Sequence, residues 1–306
     1  MPEALCRKRG CWRAIERGCH LPRSILASLK RRINTLGLCL ATWPVRLLGD
    51  ELRGQLLEKM FESSTLEITT ADRSIRFATP TPTLQWRART ALSKEPDTIR
   101  WIDRFRPSDV LWDVGANVGV FSLYAAAVRG VRVLAFEPSA ENYMILCRNV
   151  DINGLADLIV AYCVALSDKT KLGVLNSASR TIGGALHQFG ERGDSSVYWS
   201  NNQCMYYQGM PGFRIDDFIL QFNPIFPTHL KIDVDGLELG ILRGAAATLA
   251  DDRLVSVMVE LSSTDHKERE AGMELMTGAG FRLQARGESQ ASGDAAAANH
   301  FFVKQV

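Results

Sequence analysis

Five acidic residues of this sequence stand at or near the ends of apolar runs: Asp113, Glu137, Asp233, Asp235 and Glu260. Carboxylates placed in this way can accept paired hydroxyls, face a cation, or take a proton from a nucleophile. Between the first two lies a glycine turn, Gly115-Ala116-Asn117-Val118-Gly119, which follows the apolar run Val110 to Val114 and precedes an Ala-rich helical run. Strand, glycine turn and helix let a backbone approach a ligand closely and aim free amide N–H groups at it. The next apolar run, VRVLAFEP, brings Glu137 eighteen positions beyond Gly119. There a carboxylate suits the two hydroxyls of a ribose. The chemistry to expect is the binding of a nucleoside-containing cofactor.

Which cofactor is decided by two details. The turn reads GANVG and does not complete the dinucleotide pattern GxGxxG, because positions 118 and 120 are both Val. A rim made of Asp113, Glu137, Asp233 and Glu260 would repel a pyrophosphate and stabilise a sulfonium. Both points favour S-adenosylmethionine over NAD. A hydroxyl nucleophile must also lose a proton, and the candidates to take it are Asp233, Asp235, Glu260 and His266, with Asp233 and Glu260 expected to line the site. Plainer readings stand beside these. Asp235-Gly236 reads equally well as a turn before the next helix, and His266 as a solvated residue early in a helix. His187 could contact a substrate, whereas His229 opens a buried strand. Asp233 and Asp235 together could hold Mg²⁺, but no third ligand is identifiable and no metal is expected.

The elements that must position these residues follow from the patterning. The chain has 306 residues, 46% of them hydrophobic, and a net charge of +2. That is enough to bury a large core, and it argues against nucleic acid as a partner on bulk grounds. Seven Cys at irregular spacing fit reduced thiols and a cytoplasmic location. No segment is long and apolar enough to span a membrane, and no signal peptide is evident. Residues 1–50 form a basic extension, helical or partly disordered. Ile25, Leu29 and Ile33 share one helical face there, which suits weak contact with a membrane surface or a protein. Residues 51–106 are expected to pack on the catalytic domain. They supply a helix from Glu51 to Glu62, a hairpin turning at Ala71-Asp72-Arg73, and a helix from Pro96 to about Phe105 that sets Lys94 and Glu95 beside the crevice.

Residues 107–306 alternate βαβαβ…βαβαββ, the signature of a mostly parallel, doubly wound α/β sheet with an antiparallel pair at its C-terminal end. Ser139 caps a helix with Asn142 in its first turn. LGVLN reads as a fourth strand at an edge, and LELGILRGAAATL as one helix closing at Asp251. A stretch at about 177–212, rich in Gly, Ser and Asn and carrying Tyr198, Trp199, Tyr206 and Tyr207, breaks the rhythm as an irregular insert suited to a substrate loop.

The segments DVGANVGVFSLYAA, FEPSAENYMILCRNVDING, VALSD, RIDDF and LKIDVDGLELGILRGA, in that order, resemble the FkbM family of S-adenosylmethionine-dependent methyltransferases. The resemblance runs from about Glu95 to the C-terminus, with Asp235 where family members often carry Glu. It implies the Rossmann-like class I methyltransferase fold and O-methylation of a hydroxyl on a small molecule, sugar or glycan. It further implies that Gly115, Asn117 and Gly119 shape the turn around the methionine half, with Asp113 near its amino group. Glu137 would take the ribose hydroxyls, with Pro138 also at the cofactor, Asn142 and Val164-Ala165-Leu166 would border the adenine, and Asp233 would face the methyl donor and the incoming nucleophile. Two other readings remain: an NAD-linked oxidoreductase on the same fold, and a non-enzymatic nucleoside-binding or interaction module.

Overall fold

The computed structural model describes residues 42–194, 204, 206–262, 265–287 and 297–305. The basic segment with Ile25, Leu29 and Ile33, the aromatics Tyr198 and Trp199, and most of the Ser/Gly/Ala-rich turn after Gly287 lie outside them. Residues 1–61 and 62–306 form two compact units. The described part of the first is mostly helix α1 (Asp50–Ser63), which has no buried side chain.

The second unit is built on a seven-stranded sheet. Its strands in chain order are β3 (Val110–Val114), β4 (Arg132–Phe136), β5 (Ile159–Tyr162), β10 (His229–Ile232), β11 (Ser256–Ser262), β12 (Phe281–Arg286) and β13 (Ala297–Lys304). Across the sheet they run β5-β4-β3-β10-β11-β13-β12. The pairings from β5 to β11 are parallel, and β13 runs antiparallel to both neighbours. The order reverses direction between β3 and β10, so the two strand ends carrying Gly115 and Asp233 lie side by side, and a crevice opens beyond the carboxyl ends of the strands at such a point.

Every residue of β3 is buried. Because side chains alternate across a strand, Leu111 joins one core layer while Val110, Trp112 and Val114 join the other. The first layer is covered by α2 (Pro82–Thr90), α3 (Pro96–Ile102), α4 (Val120–Arg129), α5 (Ala140–Ile152) and the hairpin strand β2 (Ser74–Ala78). The second is covered by α6 (Ile215–Phe222), α7 (Glu238–Arg243), α8 (Ala246–Ala250) and α9 (His266–Gly278). The hairpin partner of β2 is β1 (Thr65–Thr69), and β2 is tied to α5 and its C-cap: Ala78 N donates to Asn149 Oδ1 at 2.7 Å, Asn153 Oδ1 accepts from Arg76 N at 2.8 Å, and Asn153 Nδ2 donates to Arg76 O at 2.7 Å.

Three expectations need correction. LGVLN is no edge of the main sheet: it belongs to β7 (Lys171–Ser177) in a separate four-stranded sheet, with β6 (Ala165–Leu166), β8 (His187–Gly190) and β9 (Tyr206–Phe213) in the order β6-β9-β7-β8. The insert at 177–212 is therefore not irregular throughout. It contributes β8 and β9, and at Gly212 the packing leaves no room for a side chain: a Cβ there would lie 2.3 Å from the Phe189 ring. LELGILRGAAATL is two helices, broken at Gly244. The break lets Asp216 cap the second one, accepting from Ala247 N and Thr248 N at 2.9 Å each. No described helix is long and apolar enough to cross a membrane.

Candidate active site

The glycine turn is shaped by contacts that forbid side chains. Gly115 has φ +79°, and a Cβ there would sit 1.8 Å from the carbonyl oxygen of Asp233. The two strand ends thus meet backbone to backbone. Asn117 also adopts a left-handed conformation, φ 50°, and turns its N–H onto Glu137 Oε2 at 2.7 Å. Gly119, φ +86°, opens α4, and a Cβ there would meet Leu146 Cδ1 at 2.5 Å. No third glycine is needed, since Val118 is buried and Val120 lines the cleft instead.

Glu137 follows β4 directly and is nearly inaccessible. Its carboxylate also accepts from Ser139 N at 2.9 Å and from Asn142 Nδ2 at 3.4 Å. Burial raises its pKa to about 7 against the pull of these donors. Ser139 caps α5 by accepting from Asn142 N at 3.4 Å. A loop of the insert crosses above. Gly184 O accepts from Asn117 Nδ2 at 2.7 Å and from Asn142 Nδ2 at 3.1 Å, and Gly183 N donates to Asn142 Oδ1 at 2.8 Å.

Asp233 follows β10 directly. Beyond it the chain turns through Asp235, φ 62°, and Gly236, φ 105°, and Leu186 N donates to Asp235 Oδ2 at 2.6 Å. Glu238 holds that turn by accepting from Val234 N at 3.0 Å and Gly236 N at 3.0 Å. The acids crowd one another. Burial, followed by the charges of Asp233, Glu238, Asp235 and Glu95, raises Glu260 to about 9. Burial raises Glu238 to about 7, and burial with the neighbouring Asp233 raises Asp235.

Three cations answer this cluster. Lys231 is 1% exposed and lies 3.1 Å from Asp113 and 3.5 Å from Asp233. Burial alone would lower its pKa, but Asp113, Asp233 and Glu95 carry it above the ordinary lysine value. Burial lowers Arg87, opposed by Asp233, Asp235, Glu137 and Glu95. Lys94 pairs with Glu95 at 3.1 Å, and Asn299 Nδ2 and Thr98 Oγ1 donate to the other oxygen of Glu95 at 3.0 and 3.2 Å.

Two clefts meet at Gly115. The first, about 480 Å³ counting space open to solvent, is lined by Glu95, Gly115, Asn117, Lys231 and Asp233 together with Trp86, Arg87 and Phe121. The second, about 320 Å³, is an apolar slot between Phe136, Pro138, Val164, Ala165 and Val234. Of the residues singled out from sequence, Glu95, Gly115, Asn117 and Asp233 converge on the first cleft and Pro138 and Ala165 on the second, with Glu137 and Asn142 beside them beneath the loop.

Three do not stand where expected. Asp113 is fully buried one layer below, accepting from Ser122 Oγ at 2.6 Å and paired with Lys231, so it reaches the cleft only through that lysine. Glu260 is within β11 opposite Asn299 and lines neither cleft. His266 is exposed on the first turn of α9 against Arg269, outside both clefts. Among the described residues, no three His, Cys, Asp or Glu side chains converge to hold a metal ion. Sequence reading missed Lys231, Arg87 and Glu238. A lysine inside the apolar run HLKI was a usable signal, because a lysine is almost never fully buried unless paired. Arg87 gave none, since its role depends on how α2 is folded against the turn.

The reversal of strand order at a glycine turn, the carboxylate ending the second strand, and the antiparallel last strand define the Rossmann-like class I methyltransferase fold. The chain belongs to the methyltransferase FkbM domain family, which matches residues 113–283, more than half of its length. It is 27% identical over 175 residues to hexuronic acid methyltransferase AglP of Haloferax volcanii, covering 57% of this chain and 65% of that protein. Among solved structures it is similar to the magnesium protoporphyrin IX methyltransferase of Synechocystis PCC 6803 with bound SAM, at 10% identity and TM-score 0.42, over 74% of this chain and 85% of that one. It is also similar to precorrin-6y C5,15-methyltransferase of Geobacter metallireducens, at 11% identity and TM-score 0.40, over 69% and 87%. The fold assignment rests on strand order and family rather than on these two distant structures.

Proposed function

We propose that this chain transfers a methyl group from S-adenosylmethionine to a hydroxyl of a saccharide or small molecule. The observation that carries the reading is Asp233 lining the open cleft together with Asn117, its backbone back to back with Gly115. The residues fit such a cofactor. Gly115 lines both clefts, the buried Asn117 Oδ1 has no partner, and the apolar slot beside it suits a purine. S-adenosylmethionine supplies an activated methyl on a cationic sulfur. The chain's own part is then positioning and proton removal. Asp233 is placed to take the acceptor's proton, and Lys231 orients it at 3.5 Å. Glu260 acts through the electrostatics of the cluster instead of touching substrate. Trp86, half exposed in the same cleft, offers a face for a sugar ring. The saccharide acceptor is supported by the named activity of the Haloferax relative, of which this chain spans 65%.

Calorimetric titration with S-adenosylhomocysteine and with NADH tests the cofactor. Tight NADH binding with none of the homocysteine product would overturn the reading in favour of an oxidoreductase. Asp233→Asn should abolish turnover in a folded protein that still binds S-adenosylhomocysteine, and unchanged turnover would remove Asp233 from the chemistry.

A further inference from the structure

One titratable side chain of the insert borders the cofactor crevice and has an unmet bond. The antiparallel register of β7 and β8 sets Ser177 opposite His187, and Ser177 Oγ lies 2.7 Å from His187 Nδ1. The other ring nitrogen, Nε2, is buried with no partner. Burial lowers the pKa of this histidine, so near neutral pH the ring has one donor nitrogen and one acceptor. A buried polar atom without a partner is rare in a native structure, and an absent ligand is one explanation for it. His187 lines the apolar slot together with Pro138, Val164 and Ala165. That slot meets the larger cleft at Gly115, and Glu137 directly follows the strand beside it. A nucleoside whose ribose is held at Glu137 therefore directs its flat base into the slot, where polar partners are scarce.

We propose that His187 Nε2 hydrogen-bonds the edge of the cofactor's base while Ser177 fixes the imidazole ring. The assignment rests on the cofactor reading given above. It makes strand β8, which belongs to the insert and not to the main sheet, part of the cofactor site. The serine hydroxyl can donate to Nδ1 or accept from it, so either tautomer can be held and Nε2 can meet an acceptor or a donor on the base.

The test uses the full chain labelled with ¹⁵N-histidine, the His187 signals being identified by their loss in His187→Gln. Adenosine and S-adenosylhomocysteine should each shift Nε2 as it gains a hydrogen bond, and homocysteine alone should not. Calorimetry should find S-adenosylhomocysteine binding weakened roughly tenfold in His187→Leu and partly restored in His187→Gln. An Nε2 signal unmoved at saturating S-adenosylhomocysteine would overturn the proposal, as would full affinity in His187→Leu or a shift caused by homocysteine alone. Failure of the unmodified chain to bind S-adenosylhomocysteine is a different result: it removes the cofactor reading, and this assignment with it.

Discussion

Replacing Glu260 with Gln should make the stability of the protein less sensitive to pH, and the size follows from the site. Burial and the facing charges of Asp233, Glu238, Asp235 and Glu95 raise Glu260 from 4.5 to about 9. The native protein therefore keeps a proton on Glu260 through the neutral range, whereas the unfolded chain has released it. With more protons bound in the native than in the unfolded state, stability falls as pH rises. The contribution is fully present below the unfolded value of 4.5 and is lost as pH climbs through about 9. One whole proton corresponds to about 1.4 kcal/mol per pH unit. Glu238, itself raised to about 7, is one of the charges acting on Glu260, and titration of interacting groups is spread over a wider range, which reduces the working slope to about 1 kcal/mol per unit. A glutamine keeps the shape and has nothing to titrate. Urea unfolding at about pH 5.5, 6.5 and 7.5 should show the variant gaining on the unmodified protein by about 2 kcal/mol across the range. Parallel stability profiles would refute the argument that Glu260 is held neutral by its surroundings.

Three further outcomes are expected. Lys231→Met leaves the buried Asp113 without its counter-charge and should lower stability by about 3–5 kcal/mol in urea unfolding; a loss within about 0.5 kcal/mol would show the ion pair to be dispensable. Gly115→Ala forces a Cβ to within 1.8 Å of Asp233 O at a φ of +79°. It should destabilise the fold by more than about 1 kcal/mol and abolish S-adenosylhomocysteine binding, and a variant that melts and binds normally would contradict the packing described. Ionised Glu137 is the form that accepts ribose hydroxyls, and its pKa is about 7. Calorimetry should therefore find S-adenosylhomocysteine binding tightening roughly tenfold between about pH 6 and 8, with a flat profile in Glu137→Gln.

The sequence by itself determined the layers and the turn. The buried strand VLWDV, the cap at Ser139, and most of the order of strands and helices depend on neighbours close along the chain, and local spacing records such contacts directly. It also placed Gly115, Asn117 and Asp233 at one crevice, because strand ends at a reversal of strand order must meet there, and set Glu95 beside it through the helix that Pro96 opens. Tertiary structure alone decided what those groups do to one another. Asp113 looked like a rim carboxylate but is spent on Lys231, the residue paired beside it across the β3–β10 register, 118 positions away in the chain. Glu260 and Glu238 became proton holders only through shared burial, and His266 was set apart only by the course of α9. The insert hid β8 and β9 because β9 finds its long antiparallel partner in β7, from Ser177 opposite Tyr206 to Lys171 opposite Gly212, a separation no short window spans. Burial and charge proximity are sums over distant parts of the chain, so they become legible only once the chain is folded.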